Sequence, residues 1–192
     1  MNAVATTTRI TPEEFLTLPD HDRYELVDGQ LVEVNVSVLS SLVAGELQGR
    51  LHAHCRTGDL GWVWPADTLG RFSRDPNQVR KPDVLFIRRE HLTAELLAGS
   101  FVTIPPDLVV EVLSPNDLAY EVDEKVNEYL DADVRLVWVI NPKLRTVRIH
   151  RLDGTVAVLS EADELSGEDV VPGFRCRVGE LFPTLPAPAP AP

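Results

Sequence analysis

The chain has 192 residues, with 30 acidic against 18 basic side chains and a formal charge of −12. That is one domain's worth of chain. With 44% hydrophobic and 25% charged residues it can bury a sizeable core, which excludes a disordered chain and a fibrous repeat. No window approaches the roughly 18 consecutive apolar residues of a membrane span. The opening MNAVATTTRITPEEF lacks the basic and apolar regions of a signal peptide, so a cytoplasmic protein is expected. The acidic balance speaks against a general nucleic-acid coat protein, which binds phosphate through clustered Lys and Arg.

Thr11-Pro12-Glu13-Glu14 combines a capping residue, proline at the first helical position and Glu three places after the cap, and predicts a short helix through Phe15 and Leu16. Tyr24, Leu26, Leu31, Val32 and Val34 flank Asp28-Gly29, the pair suited to a two-residue turn, and predict a hairpin. From about Val38 to Arg56, Leu39, Leu42, Val43, Leu47 and Leu51 recur every three or four residues, an amphipathic helix ending near Gly58. Strands are expected at Gly61 to Trp64, Thr68 to Phe72 and Pro82 to Ile87, followed by a helix at about Glu90 to Leu97.

Leu108 to Leu113 is too short and too apolar for a helix. Bounded by Pro105-Pro106 and Ser114-Pro115-Asn116, it reads as a buried strand. A second amphipathic helix covers about Asp117 to Leu130, with Val122, Val126, Tyr129 and Leu130 on one face, and Leu136 to Ile140 is a second buried strand. Thr146 to Arg151 and Thr155 to Leu159, joined by turns, form an antiparallel meander. The order of elements implies a mixed sheet with helices packed against it. Residues 1–185 are expected to form one domain with its core at about 38–141, and the Pro/Ala-rich tail 186–192 an extended, solvated end.

Cys55 and Cys176 follow no metal-ligand spacing and read as reduced, packing thiols. His52 and His54, two apart on a helix, point their rings away from each other and offer no zinc site. The informative charges are those that interrupt apolar strands. Asp83 lies in Pro82–Ile87 and Glu111 in Leu108–Leu113, and carboxylates are almost never fully buried unless paired or metal-bound. Alternation places Asp83 with Leu85 and Ile87, and Glu111 with Asp107, Val109 and Leu113. On neighbouring strands about 4.8 Å apart the two carboxylates would converge on one cation, and one or two carboxylates plus waters is the usual way to hold Mg²⁺. Lys125, one turn before Tyr129, could reach back towards them. The alternative is that Asp83 and Glu111 end structural ion pairs with Arg80 or Lys81 and that Lys125 is solvated.

Five segments in register carry a resemblance: Arg23–Gly29, Lys81–Val84, Pro106–Pro115, Glu124–Tyr129 and Trp138–Pro142. Together, from about Thr11 to Arg151, the chain resembles the Uma-type family of restriction endonucleases, within the PD-(D/E)xK nuclease superfamily. The resemblance implies a restriction-endonuclease-like α/β fold, a mixed sheet flanked by helices with an N-terminal hairpin and a C-terminal antiparallel meander. It implies hydrolysis of a nucleic-acid phosphodiester, with DNA as the expected substrate and Mg²⁺ or Mn²⁺ as the cofactor. It makes Asp83 and Glu111 metal-binding acids, Lys125 the catalytic lysine, and Glu25 a further metal ligand. Where the superfamily's lysine would stand the chain has Leu113, so the lysine must come from the helix. Glu25 read on its own is equally a cross-strand partner of Arg23 or an exposed hairpin charge.

Two basic clusters could track a phosphate backbone: the arginines and lysine between Arg71 and Arg89, and Lys143, Arg145, Arg148 and Arg151. Against this, Asp117 to Asp133 carries seven acids around Lys125. Trp62 and Trp64 are expected to pack in the core rather than stack on bases. A homodimer would supply two sites for the two strands of a duplex. The competing reading, from another class, is a non-catalytic interaction protein on a nuclease scaffold.

Overall fold

The structure is a computed structural model and describes residues 9–184. The expected tail at 186–192 lies outside the described residues. Helix α1 (Pro12–Phe15) opens with the capping box: Glu14 N donates to Thr11 Oγ1 at 3.2 Å and Thr11 N to Glu14 Oε2 at 2.9 Å. Strands β1 (Tyr24–Val27) and β2 (Gln30–Glu33) form the hairpin. Asp28 and Gly29 both adopt positive φ, 50° and 74°, as the tight turn requires. A Cβ at Gly29 would fall 2.7 Å from that of Arg9, so only glycine fits there.

Helix α2 (Val38–Gly58) starts at Ser37, whose hydroxyl accepts from Ser40 N at 3.1 Å. Strands β3 (Gly61–Pro65) and β4 (Val84–Arg88) follow, then the short helix α3 (Ala94–Ala98), β5 (Leu108–Val112), α4 (Ala119–Asp131), β6 (Leu136–Asn141), β7 (Thr146–Arg151) and β8 (Val156–Leu159). The six strands β3 to β8 lie side by side in chain order. All neighbours are antiparallel except β5 and β6. A parallel pair needs a crossover connection, and α4 supplies it.

The two helices cover opposite faces of the sheet. Val43, Leu47, Leu51 and Cys55 of α2 pack with Phe86, Val110 and Trp138, while Val122, Val126 and Tyr129 of α4 pack with Leu85, Val109 and Val137. Coverage on both sides explains why β5 is buried at every position and why its sequence is a continuous apolar run broken only by Glu111. Cys55 and Cys176 are unpaired and buried, and burial pushes each thiol up to about 11. The rings of His52 and His54 meet different partners, Trp62 and Phe174.

Several local expectations are corrected. Residues 68–72 form no strand: Gly70 lies between two separate segments and makes only isolated bridges, to Arg80 and to Val102. The helix expected over 90–97 is interrupted into a 3₁₀ turn at Arg89–His91 and α3, which restarts at Thr93, whose hydroxyl accepts from Leu96 N. The buried stripe of α2 runs through Ser40, Val43, Leu47, Leu51 and Cys55, and leaves Leu39 and Leu42 exposed. Trp62 is 45% exposed on the edge strand, under the guanidinium of Arg56 at 4.4 Å. A further pair, β9 (Glu164–Ser166) and β10 (Arg175–Arg177), follows the meander.

Candidate metal centre

The end of β5 that leads into α4, the start of β4, the hairpin and the first turns of α4 surround a cleft of about 200 Å³. Val84 pairs with Val110, and continuing that antiparallel register by one position sets Asp83 beside Glu111. The placement is further fixed by a bond across the strands: Val112 N donates to Asp83 Oδ2 at 2.6 Å. Glu111 is held from below by Tyr129, whose hydroxyl donates to Oε1 at 2.6 Å. Both carboxylates face α4, as strand alternation requires.

Lys125 points from α4 into the same space. Its Nζ lies 3.0 Å from Glu25 Oε1 and 3.6 Å from Glu111 Oε2. Glu25, on β1, is 2% exposed and its bonds are all to donors. Oε1 accepts from Lys125 Nζ and from Lys81 N, each at 3.0 Å, and Oε2 from Arg80 Nη1 at 3.0 Å. Arg80 in turn donates from Nε to Glu128 Oε2 at 2.7 Å and from Nη2 to Glu128 Oε1 at 2.5 Å. Glu25 is therefore not Arg23's partner; Arg23 pairs with Glu33 across the exposed face of the hairpin.

The electrostatics follow from this arrangement. Burial and the neighbouring Glu111 charge push the Asp83 carboxyl up to about 7. Glu111 is also raised, by burial first. Burial would raise Glu25 as well, but Lys125, Arg80 and the Lys81 N–H hold it below the ordinary carboxylate value. For Lys125, burial is outweighed by Glu111 and Glu25, and the ammonium is held protonated. The structure thus brings Asp83, Glu111, Lys125 and Glu25 together around one cleft, with Glu25 on the side of the cations.

Among the described residues no group of three or more His, Cys, Asp or Glu side chains is placed to hold a metal ion. The pair Asp83 and Glu111 nevertheless fits a hard divalent cation. Asp83 Oδ1 accepts no hydrogen bond among the described residues, Glu111 Oε2 is beyond hydrogen-bond distance of Lys125, and two adjacent carboxylates in a partly desolvated site repel until a cation joins them.

Reading the sequence missed the parts that support these residues. Arg80 stands in a basic run that looks like surface, and Tyr129 in an apolar stripe that looks like core. Tyr129's position four residues after Lys125, on the same face of α4, is the signal that could have revealed it. The two basic clusters are largely neutralised: Arg71 pairs with Glu13, Arg89 with Asp59, Arg145 with Glu161 and Arg151 with Glu168. In the lining of the cleft, seven carboxylates face three cations.

The family model Uma2, described as "Putative restriction endonuclease", matches residues 12–179. The chain belongs to the Uma2 family. Its fold is also that of a crystal structure from Anabaena variabilis ATCC 29413, described as a "putative nuclease belonging to DUF820". The likeness has a TM-score of 0.78 and 18% identity, and covers 90% of this chain and 97% of the other. A comparison with curated proteins gives no match. This Uma2 chain has, among its described residues, no helix long and apolar enough to cross a membrane.

Proposed function

We propose that this Uma2 protein is a divalent-metal-dependent endonuclease that hydrolyses phosphodiester bonds, with DNA as substrate and Asp83, Glu111 and Lys125 as its working residues. The observation that carries the reading is the pairing of Asp83 with Glu111 across neighbouring strands, each with an oxygen open to the cleft, beside a protonated lysine. Asp83 and Glu111 would hold Mg²⁺ or Mn²⁺, which would supply Lewis-acid polarisation of a phosphoryl oxygen and activation of water. Lys125 Nζ donates to the oxygen on which negative charge develops, or holds the attacking water in line. Asp83 is kept in place by Val112 N and Glu111 by Tyr129, so little reorganisation would accompany cation binding. Two copies would serve the two strands of a duplex.

The test is a calorimetric Mn²⁺ titration of the wild type beside Asp83→Asn, followed by incubation of plasmid DNA, oligonucleotide DNA and RNA with Mn²⁺ or with a chelator. Saturable binding lost in Asp83→Asn, with cleavage that the chelator abolishes, supports the reading. Equal cleavage by wild type and Asp83→Asn overturns it. The second reading, an interaction module without catalysis, is favoured by Leu113 where the superfamily's lysine stands and by the acidic lining of the cleft. It predicts no cleavage of any of these substrates.

A further inference from the structure

We infer that Glu25 is a positioning residue that seats the ammonium of Lys125, and that it is not a ligand of the metal; the inference rests on the reading of Asp83, Glu111 and Lys125 as the working site. A carboxylate ligand needs an oxygen lone pair directed at the cation. Glu25 Oε1 already accepts from Lys125 Nζ and Lys81 N, and Oε2 from the guanidinium of Arg80. A cation approaching either oxygen would have to displace a positive group or a backbone N–H and then sit beside the remaining charge. Asp83 and Glu111, by contrast, each keep an oxygen without such a donor.

The same contacts explain what Glu25 does. Lys125 lies closer to Glu25 than to Glu111, at 3.0 Å against 3.6 Å, so its charge is drawn to the hairpin side of the cleft and Glu111 Oε2 stays open. Glu25 itself is fixed by more than one element. The backbone of the next residue, Leu26, exchanges hydrogen bonds with Val79 at 2.9 and 2.8 Å, and Arg80, adjacent to Val79, spans from Glu25 to Glu128 on α4, three residues after Lys125. Arg80 therefore locks the hairpin acid and the lysine-bearing helix in one geometry. Glu25, Arg80 and Glu128 form a support that sets where the Lys125 protons point.

Two measurements test this without relying on turnover. The chain has only three lysines, Lys81, Lys125 and Lys143, so a lysine-selective ammonium NMR spectrum is simple, and the Lys125 signal is assigned by its loss in Lys125→Arg. A hydrogen-bonded, sheltered Lys125 ammonium gives a slowly exchanging signal in the wild type that disappears in Glu25→Met, which has no acceptor, and persists with faster exchange in Glu25→Gln, which keeps an uncharged acceptor oxygen. An unchanged signal in Glu25→Met overturns the inference. The second measurement is the Mn²⁺ titration of the double variant Glu25→Gln/Lys125→Met, in which no freed ammonium competes for Glu111. Affinity close to wild type is expected. A loss well beyond the roughly 10–100-fold that changes to outer-shell partners cost makes Glu25 a ligand and overturns the inference. Should Glu25→Met not fold, the faster exchange expected in Glu25→Gln is the readout, and an exchange rate equal to that of the wild type overturns the inference. If Asp83→Asn binds Mn²⁺ as the wild type does, it is the metal reading that fails, and the NMR result still decides the seat of Lys125.

Discussion

The Tyr129 hydroxyl donates to Glu111 Oε1 at 2.6 Å beneath the cleft, from a ring that is itself buried against Phe72. Burial and the Glu111 charge hold the phenol well above its ordinary pKa, so it stays a donor. Tyr129→Phe keeps the ring packing and removes only this bond. Mn²⁺ affinity should fall about tenfold, as for other groups that orient metal-binding carboxylates, while stability changes by only about 1 kcal/mol. Calorimetry and urea unfolding separate the two effects; an unchanged affinity would show that Glu111 needs no such anchor.

Asp83 predicts an unusual dependence of stability on pH. Its carboxyl titrates at about 7 in the fold against an ordinary 3.8, because of burial and Glu111, so the folded state binds the proton more tightly than the unfolded state. This favours folding fully below the unfolded value, and the benefit is lost as pH rises through about 7. Asp83→Asn keeps an oxygen to accept from Val112 N and cannot ionise. In chelator, its melting temperature should exceed that of the wild type by a margin that opens above pH 4 and levels off above about 7. Thermal melts across that range check it, and a margin independent of pH would contradict the assignment.

Arg80 and Arg23 make ion pairs of very different worth. Arg80 is 6% exposed and engages two carboxylates, so Arg80→Ala leaves buried negative charge unpaired and should cost about 3–5 kcal/mol. Arg23 pairs with Glu33 on the surface, and Arg23→Ala should cost less than about 1 kcal/mol. Urea denaturation of both variants gives the comparison directly.

Helix α2 offers a similar contrast between apolar positions. Leu47→Ala opens a cavity between the helix and the sheet and should cost about 2–5 kcal/mol. Leu42 is 52% exposed, and Leu42→Ala should stay within about 0.5 kcal/mol. Equal losses on unfolding would show that Leu42 is covered in solution.

The main strands and both long helices could be read from the chain because each carries an unbroken local pattern. Asp83 and Glu111 stood out for the same reason, as charges inside apolar runs that coverage from both sides buries. Arg80 did not stand out, since its surroundings Val79-Arg80-Lys81 look like surface and its partners are 55 and 48 residues away in the chain. The buried stripe of α2 is not legible from spacing alone, because apolar residues occur around more of that helix than the sheet covers, leaving Leu39 and Leu42 exposed. The strands β9 and β10 are three residues long, too short for alternation to show.

Strand β8 ends the sheet, and nothing charged lies between Thr155 and Ser160, where Val156 and Val158 are 55% and 65% exposed. Natural edges are usually guarded by lysine, proline or a bulge, because an open row of backbone groups is a template for another chain. The segment carries no such guard, and the charge that opposes non-specific pairing of copies is the overall −12 of the chain. Such repulsion is screened as salt rises, so added salt should favour self-association, with the four-residue β8, on the opposite flank of the sheet from β3, as one place where it can start.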